Sequence, residues 1–127
     1  MPYLYGNLPN IEFKIYSEDT ETSHIRVQDG KVEALYLNWD IEWYNRSFYF
    51  ERVDEEMIQW FFSERVWEPG RVDLWERLDA IGVSEYNSLK ICQKTHGLKY
   101  DDPVWIKFKV DGEWEDISWK DLEPLTK

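Results

Sequence analysis

Cys92 and His96 have the spacing in this sequence closest to a catalytic arrangement. The two residues are four apart, so on a helix they share one face, and a thiol beside an imidazole can form a nucleophilic thiolate. However, Cys92 lies among apolar positions, and His96 precedes Gly97, where an imidazole can interact with the last carbonyl groups of a helix. We therefore expect Cys92 to be a core residue and predict no catalytic residue.

Metal ligands and paired carboxylates are the other residue types that could do chemistry. His24 lies near an acidic segment, but one histidine with acids on a loop is a weak metal signal. Close carboxylates occur at Asp40 and Glu42, at Glu55 and Glu56, and at Asp101 and Asp102. Glycoside hydrolysis needs two carboxyl groups facing each other across a cleft, and nothing in the sequence marks one as buried. We predict no metal, no cofactor and no enzymatic activity.

The segment RVWEPGR, residues 65–71, is the strongest candidate for contact with a partner. It combines Trp67 and Glu68 with a Pro-Gly turn between two predicted helices, and Arg65 and Arg71 flank it. An aromatic side chain on such a turn can enter a pocket of a partner. The alternative is that Trp67 folds back onto the helices while the arginines pair with Glu64 and Glu68.

A second candidate contact segment is aromatic and acidic and follows the first predicted hairpin. Its residues are Trp39, Asp40, Glu42, Trp43 and Tyr44. Exposed aromatic side chains beside carboxylates would suit a partner surface. The alternative is an irregular edge strand that packs its tryptophans inward.

The composition indicates one domain with an acidic surface. A chain of 127 residues is near the commonest domain size, and we predict a single domain over residues 1–127, with a sheet part (1–50), a helical part (51–97) and a C-terminal part (98–127). The net charge of −11, with acidic residues in excess mainly within residues 1–70, disfavours direct binding to nucleic acid or anionic membranes. It favours basic partners, although it can also serve only for solubility.

The single cysteine and the absence of targeting signals indicate a cytoplasmic protein. Cys92 cannot form an intrachain disulfide. The first residues lack both a basic and an apolar region, and no apolar run approaches the length of a membrane span. We therefore expect a soluble, unexported protein.

Periodicity and turn residues predict an α+β fold. Residues 11–15 alternate as a half-buried strand, residues 17–23 are polar and predict an exposed loop, and Asp29 with Gly30 predicts a tight hairpin. A further short strand is predicted at residues 48–50. Residues 104–110 alternate as a strand, and Ser118 predicts a capping box with Asp121.

Three short helices are predicted between these strands. Asp54 can cap the first, which ends before or in the turn at residues 69–70. Gly82 can end the second, Ser84 can cap the third, and Gly97 can end it. The predicted architecture is a small, mostly antiparallel sheet with three helices packed on one face.

The order of these elements resembles the N-terminal subdomain of HipA-family toxin kinases. The resemblance lies in WFFSERVWEPGR, LDAIGVSEYNSL and KTHGLKYDDPVWIKF between residues 48 and 108. A pattern of the form GLxxxDxxWI, as in HipA-like proteins of Gram-positive bacteria, is matched by Gly97, Leu98, Asp102, Trp105 and Ile106. The chain departs from full HipA proteins because it has neither room for a kinase domain nor a glycine-rich phosphate loop.

The resemblance implies a free-standing regulatory subdomain that restrains a kinase, as an antitoxin does. We therefore expect a non-enzymatic, protein-binding inhibitor whose partner is a bacterial HipA-like kinase. One alternative is an acidic anti-defence protein of a phage or mobile element, which blocks a nucleic-acid-binding enzyme by placing carboxylates in its basic groove. Another is a small ligand-binding module.

Overall fold

A five-stranded antiparallel sheet lies at the centre of the computed structural model, which describes residues 8–40 and 53–127. The strands are β1 (Ile11–Ser17), β2 (Thr20–Gln28), β3 (Lys31–Leu37), β4 (Val104–Val110) and β5 (Glu113–Trp114), in the spatial order β3-β2-β1-β4-β5. The helices are α1 (Glu55–Glu64), α2 (Leu74–Ala80), α3 (Ser88–Thr95) and α4 (Trp119–Leu122), followed by a 3-10 turn at Glu123–Thr126. The predicted α+β class is confirmed.

The N-terminal strands form two consecutive hairpins. The second, around Asp29 and Gly30, is confirmed: Gln28 pairs with Lys31, and both turn residues have positive φ angles of 51° and 77°. The predicted exposed loop at residues 17–23 is wrong, because β2 already begins at Thr20. A polar strand forms there since β1 supplies its backbone partners.

A β-bulge explains how polar residues fit into this strand. The register between β1 and β2 shifts at Ile15 and Tyr16, which face Ser23 and Glu21. Thr22 is the extra residue, and its hydroxyl group donates a 3.0 Å hydrogen bond to the Ile15 carbonyl oxygen. The side chain is thereby buried with its polar atom satisfied.

The helix ends follow the capping chemistry, with one correction. Asp54 caps α1, since its Oδ1 accepts a 2.9 Å hydrogen bond from the Met57 amide, and Gly82 has the expected positive φ angle, 76°. The predicted cap of α3 at Ser84 is wrong: Asn87 accepts from the Lys90 amide at 3.0 Å. Asparagine is as good a capping residue as serine, so residue type could not decide between them.

The main core lies between one face of the sheet and helices α1 and α3. It joins strand residues such as Phe13, Ile25 and Ile106 to Phe62 of α1 and Cys92 of α3. Helix α2 buries Leu74 and Leu78 elsewhere. They form a second cluster with Ile91 of α3 that contains no strand residue: Leu74, Leu78, Val83 and Ile91. Of the three helices expected on this face, α2 therefore packs beside α3 instead of directly on the sheet.

The opposite face of the sheet carries a third, aromatic cluster. Trp105 is 1% exposed and packs with Trp119 and Leu122, which α4 contributes. The predicted capping box of α4 is present. The Ser118 amide donates a 3.0 Å hydrogen bond to Oδ2 of Asp121, and the Ser118 side chain accepts one from the Asp121 amide. Among the described residues, no helix has the length and apolar character needed to cross a bilayer.

Candidate functional site

A cleft of about 480 Å³ opens beside Trp67. Its walls come from the loop 65–71, from α2 and α3, from the turn 98–100 and from the chain end 125–126. We call it the Trp67 cleft. It includes Arg65, Trp67 and Arg71, three of the four contact residues that the sequence predicted in this loop.

Arg65 fixes the start of the loop to the C-terminal half of the chain. It follows the last residue of α1 and is 9% exposed. Its Nε donates to the Gly97 carbonyl oxygen at 2.9 Å, and its Nη2 donates to the Val104 carbonyl oxygen at 3.0 Å. Both terminal nitrogens also donate to the Asp102 carboxylate at 3.2 Å. These hydrogen bonds therefore hold the start of the loop 65–71 against Gly97, Asp102 and Val104.

Trp67 folds back onto the helices, as in the alternative considered from the sequence, and so forms a wall of the cleft instead of projecting from the loop. The side chain is half-buried and packs against the cluster that contains Leu74 and Ile91. The Tyr86 hydroxyl donates a 2.8 Å hydrogen bond to the Trp67 carbonyl oxygen. The guanidinium carbon of Arg77 lies 5.4 Å from the Trp67 ring centroid, within the range of a cation–π contact.

Asp73 holds two arginines at the rim of the cleft. Its carboxylate accepts hydrogen bonds from Nε of Arg71 and, at 2.7 Å, from Nε of Arg77. The Arg77 hydrogen bond is the main reason why the pKa of the Asp73 carboxyl group is lowered, and Arg71 adds to the effect. The pairing of the arginines with Glu64 and Glu68, which was part of the alternative considered from the sequence, is therefore wrong, since Arg65 pairs with Asp102 and Arg71 with Asp73.

The guanidinium groups at the rim keep unused donors. Arg71 and Arg77 both bind Asp73 through Nε, and their terminal nitrogens donate no hydrogen bond to any described residue. Their side chains are 45% and 40% exposed. Such a planar fork can bind a carboxylate or phosphate through two parallel hydrogen bonds.

Every charged residue that lines the cleft, within the described ranges, is basic. These residues are Arg65, Arg71, Arg77 and Lys99, in a chain whose net charge is −11. The rest of the lining is largely apolar or aromatic, and Tyr100 and Leu125 are 82% and 71% exposed at its edge. The cleft thus combines a cationic rim with an apolar wall.

The other predicted contact residues lie outside this cleft. Glu68 lines a separate, shallower depression with Trp60 and Tyr86. Trp39 and Asp40 follow β3 and do not line the Trp67 cleft. Trp39 is 42% exposed, so the alternative in which this segment packs its tryptophans inward is wrong for Trp39. The remaining predicted residues of that segment, Glu42, Trp43 and Tyr44, and the strand predicted at 48–50 lie outside the described residues.

The residues considered for catalysis and metal binding have structural partners. Burial raises the pKa of the Cys92 thiol, whose Sγ lies 3.7 Å from the Phe62 carbonyl oxygen. His96 Nδ1 lies 3.1 Å from the Ile106 carbonyl oxygen. His24 Nε2 lies 2.7 Å from a Glu12 carboxylate oxygen. Within residues 8–40 and 53–127, no group of three or more potential ligands could hold a metal ion.

Sequence reasoning did not predict Arg77, Lys99 or Tyr100 as parts of the site. The spacing of Asp73 and Arg77, four apart on a helix, was a usable signal for a paired arginine. Comparison of the chain with known proteins gives no match to a family model, to a curated protein or to a solved structure. Its function is therefore argued from the chemistry of the cleft.

Proposed function

We propose that this chain is a non-enzymatic regulatory module that binds a protein partner through the Trp67 cleft. The observation that carries the proposal is the meeting of Trp67 with Arg71 and Arg77 at one concave site. Tryptophan and arginine are the residues that most often dominate binding energy at protein interfaces. Their positions are fixed by Asp73 and by the Arg65 hydrogen bonds, so little ordering of side chains is needed on binding.

The resemblance to the HipA N-terminal subdomain supports an inhibitory, antitoxin-like role with a bacterial kinase as the partner. Gly97 and Asp102, two of the residues that match the GLxxxDxxWI pattern, are among the residues that accept hydrogen bonds from Arg65. Two residues that carry the resemblance thus hold Arg65, which lines the proposed binding site. Neither direct contact with nucleic acid nor membrane binding is part of this proposal.

Two other functions each have one supporting observation. The net charge of −11 favours an acidic anti-defence protein that occupies the basic groove of a nucleic-acid-binding enzyme. The cleft volume of about 480 Å³ lies in the range of small-molecule sites, which supports a ligand-binding module. Replacement of Trp67 separates the first of these from our proposal, since binding by a distributed acidic surface does not depend on one aromatic side chain.

Replacement of Trp67 tests the proposal. Tagged wild-type protein is used to capture partners, the captured protein is identified by mass spectrometry and purified, and its binding is measured by calorimetry. We expect Trp67→Ala to weaken this binding by about 30-fold or more, because loss of a central aromatic contact costs on the order of 2 kcal/mol.

Trp75→Ala is the matched control for this experiment. Trp75 lies on the neighbouring helix α2, is 61% exposed and does not line the cleft. We expect its replacement to change the affinity less than about twofold. Equal losses for both variants, or no loss for Trp67→Ala in a protein that remains folded by circular dichroism, would contradict the proposal.

A further inference from the structure

We infer that the partner segment which occupies the Trp67 cleft is acidic and carries an apolar side chain beside its carboxylates. This inference rests on the proposed function and adds the chemistry of the occupant. It also reverses the expectation from net charge, because a chain with 26 acidic and 15 basic residues should favour basic partners.

The charge balance of the cleft favours an anionic occupant. Four basic residues line it, and the two carboxylates that pair with them are Asp73 and Asp102. Within the described ranges, the Lys99 ammonium group donates a 3.0 Å hydrogen bond to the Glu64 carbonyl oxygen, and its charge also acts on Asp102. The four basic side chains thus exceed these two carboxylates by two charges.

Screening makes this local charge more important than the net charge of the chain. At physiological ionic strength the Debye length is about 8 Å, so exposed acidic groups farther away act weakly on a ligand inside the cleft. A basic segment would bring like charges against Arg71, Arg77 and Lys99. A carboxylate would instead meet the free terminal nitrogens of the two guanidinium groups.

The apolar wall specifies the second part of the ligand. Val66, Trp67, Ile91, Leu98 and Leu125 line the cleft beside the cationic rim. Burial of an aromatic or aliphatic side chain on this wall would remove apolar surface from water, while nearby carboxylates reach the rim. The phosphates of a nucleic acid strand could bind the arginines of the rim but would leave the apolar wall uncovered. An acidic polypeptide with an apolar side chain would contact both parts of the cleft.

The charge of the cleft restricts which partner proteins can bind there. A nucleic-acid-binding enzyme that presents its basic groove would be repelled at this cleft and would need a different surface of the chain. A kinase or other regulator with an exposed acidic and apolar segment would fit. A phosphorylated segment offers the same anionic chemistry as a carboxylate, and the experiment has to separate the two.

Labelled pentapeptides and fluorescence anisotropy provide the test. The probe is Asp-Glu-Phe-Asp-Glu, and its matched versions are Asn-Gln-Phe-Asn-Gln, Lys-Arg-Phe-Lys-Arg, Asp-Glu-Gly-Asp-Glu and a phosphoserine peptide with the same phenylalanine. We expect wild-type protein to bind the acidic phenylalanine peptide about tenfold more tightly than the neutral or glycine version, and to show no measurable affinity for the basic one.

Lys99→Glu and Lys94→Glu are the matched variants. Both lysines are exposed, but only Lys99 lines the cleft. Lys99→Glu should weaken binding of the acidic peptide by about tenfold, because two charge units change beside the ligand, and Lys94→Glu should weaken it less than twofold.

Three results would overturn the inference. The first is equal or tighter binding of the neutral or basic peptide, and the second is no binding of the acidic peptide at millimolar concentration. The third is tighter binding of a single-stranded oligodeoxythymidine. Tighter binding of the phosphoserine peptide than of the carboxylate peptide would contradict the carboxylate part of the inference and would identify phosphate as the preferred anion. The proposed function is contradicted by a different result, namely that Trp67→Ala leaves binding of the captured partner unchanged.

Discussion

Arg65→Ala is expected to lower the free energy of unfolding by about 2–4 kcal/mol, because it leaves buried hydrogen-bonding groups and one carboxylate without their partner. The Arg65 guanidinium group is 9% exposed and serves Gly97, Val104 and Asp102 at once. Urea denaturation measures the loss. Arg65→Lys should recover little of it, because one ammonium nitrogen cannot lie within hydrogen-bond distance of all the acceptors that three guanidinium nitrogens reach.

Acid pH should reduce this effect. Burial alone would raise the pKa of Asp102, but hydrogen bonds from Arg65 and the Val104 amide, with the nearby charges, outweigh it and lower the pKa below 3.8. A lowered carboxyl pKa contributes stability above pH 3.8 and loses it as the pH falls towards the folded-state value. The wild-type advantage over Arg65→Ala should therefore shrink below about pH 4.

Arg71→Ala provides the control for the Arg65 prediction. Arg71 is 45% exposed, and its ion pair with Asp73 is at the surface. We expect it to change stability by less than about 1 kcal/mol. If Arg65→Ala and Arg71→Ala had equal small effects, Arg65 would not be the structural anchor of the cleft.

Trp105→Ala is expected to destabilise the protein by about 3–5 kcal/mol, the usual cost of truncating a buried tryptophan. Its ring stacks on Tyr16 with centroids 4.6 Å apart, and its Nε1 donates a 2.7 Å hydrogen bond to the Glu18 carbonyl oxygen. Trp105→Phe keeps most of the ring contact but loses the hydrogen bond, and should cost about 1–2 kcal/mol.

Thermal and urea unfolding of these variants test whether the second face of the sheet is part of the core. The exposed Trp75 provides a control, and Trp75→Ala should change stability by less than about 0.5 kcal/mol. A Trp105→Ala protein as stable as wild type would show that Trp119 and Leu122 do not form a real cluster with it.

Local chemistry in the sequence predicted those parts of the fold that depend on neighbouring residues. The Asp29-Gly30 hairpin, the Asp54 cap and the capping box at Ser118 each involve residues within a few positions of one another. The first residues of β2, from Thr20, were predicted as a loop because they are polar, and their strand structure depends on pairing with β1. The alternation of β4 places Trp105 on the same face as Lys107 and Lys109, and its burial there follows only from the packing of α4.

The candidate site was predicted only in its local part. The loop 65–71 was recognised from Trp67 and its flanking arginines, whereas the partner of Arg65 lies 37 residues away at Asp102. Lys99, Tyr100 and the chain end join the cleft only through tertiary packing. No short sequence pattern could predict that these separate segments make one basic surface on an acidic chain.

The most direct test of the Trp67 cleft as the binding site uses the indole N–H resonances of the eight tryptophans. Each resonance is assigned with single Trp→Phe variants, and the purified partner is then titrated into ¹⁵N-labelled protein. We predict that the Trp67 resonance shifts or broadens first and that the Trp75 resonance stays unchanged. Perturbation of Trp39 or Trp75 with an unmoved Trp67 resonance would contradict the account.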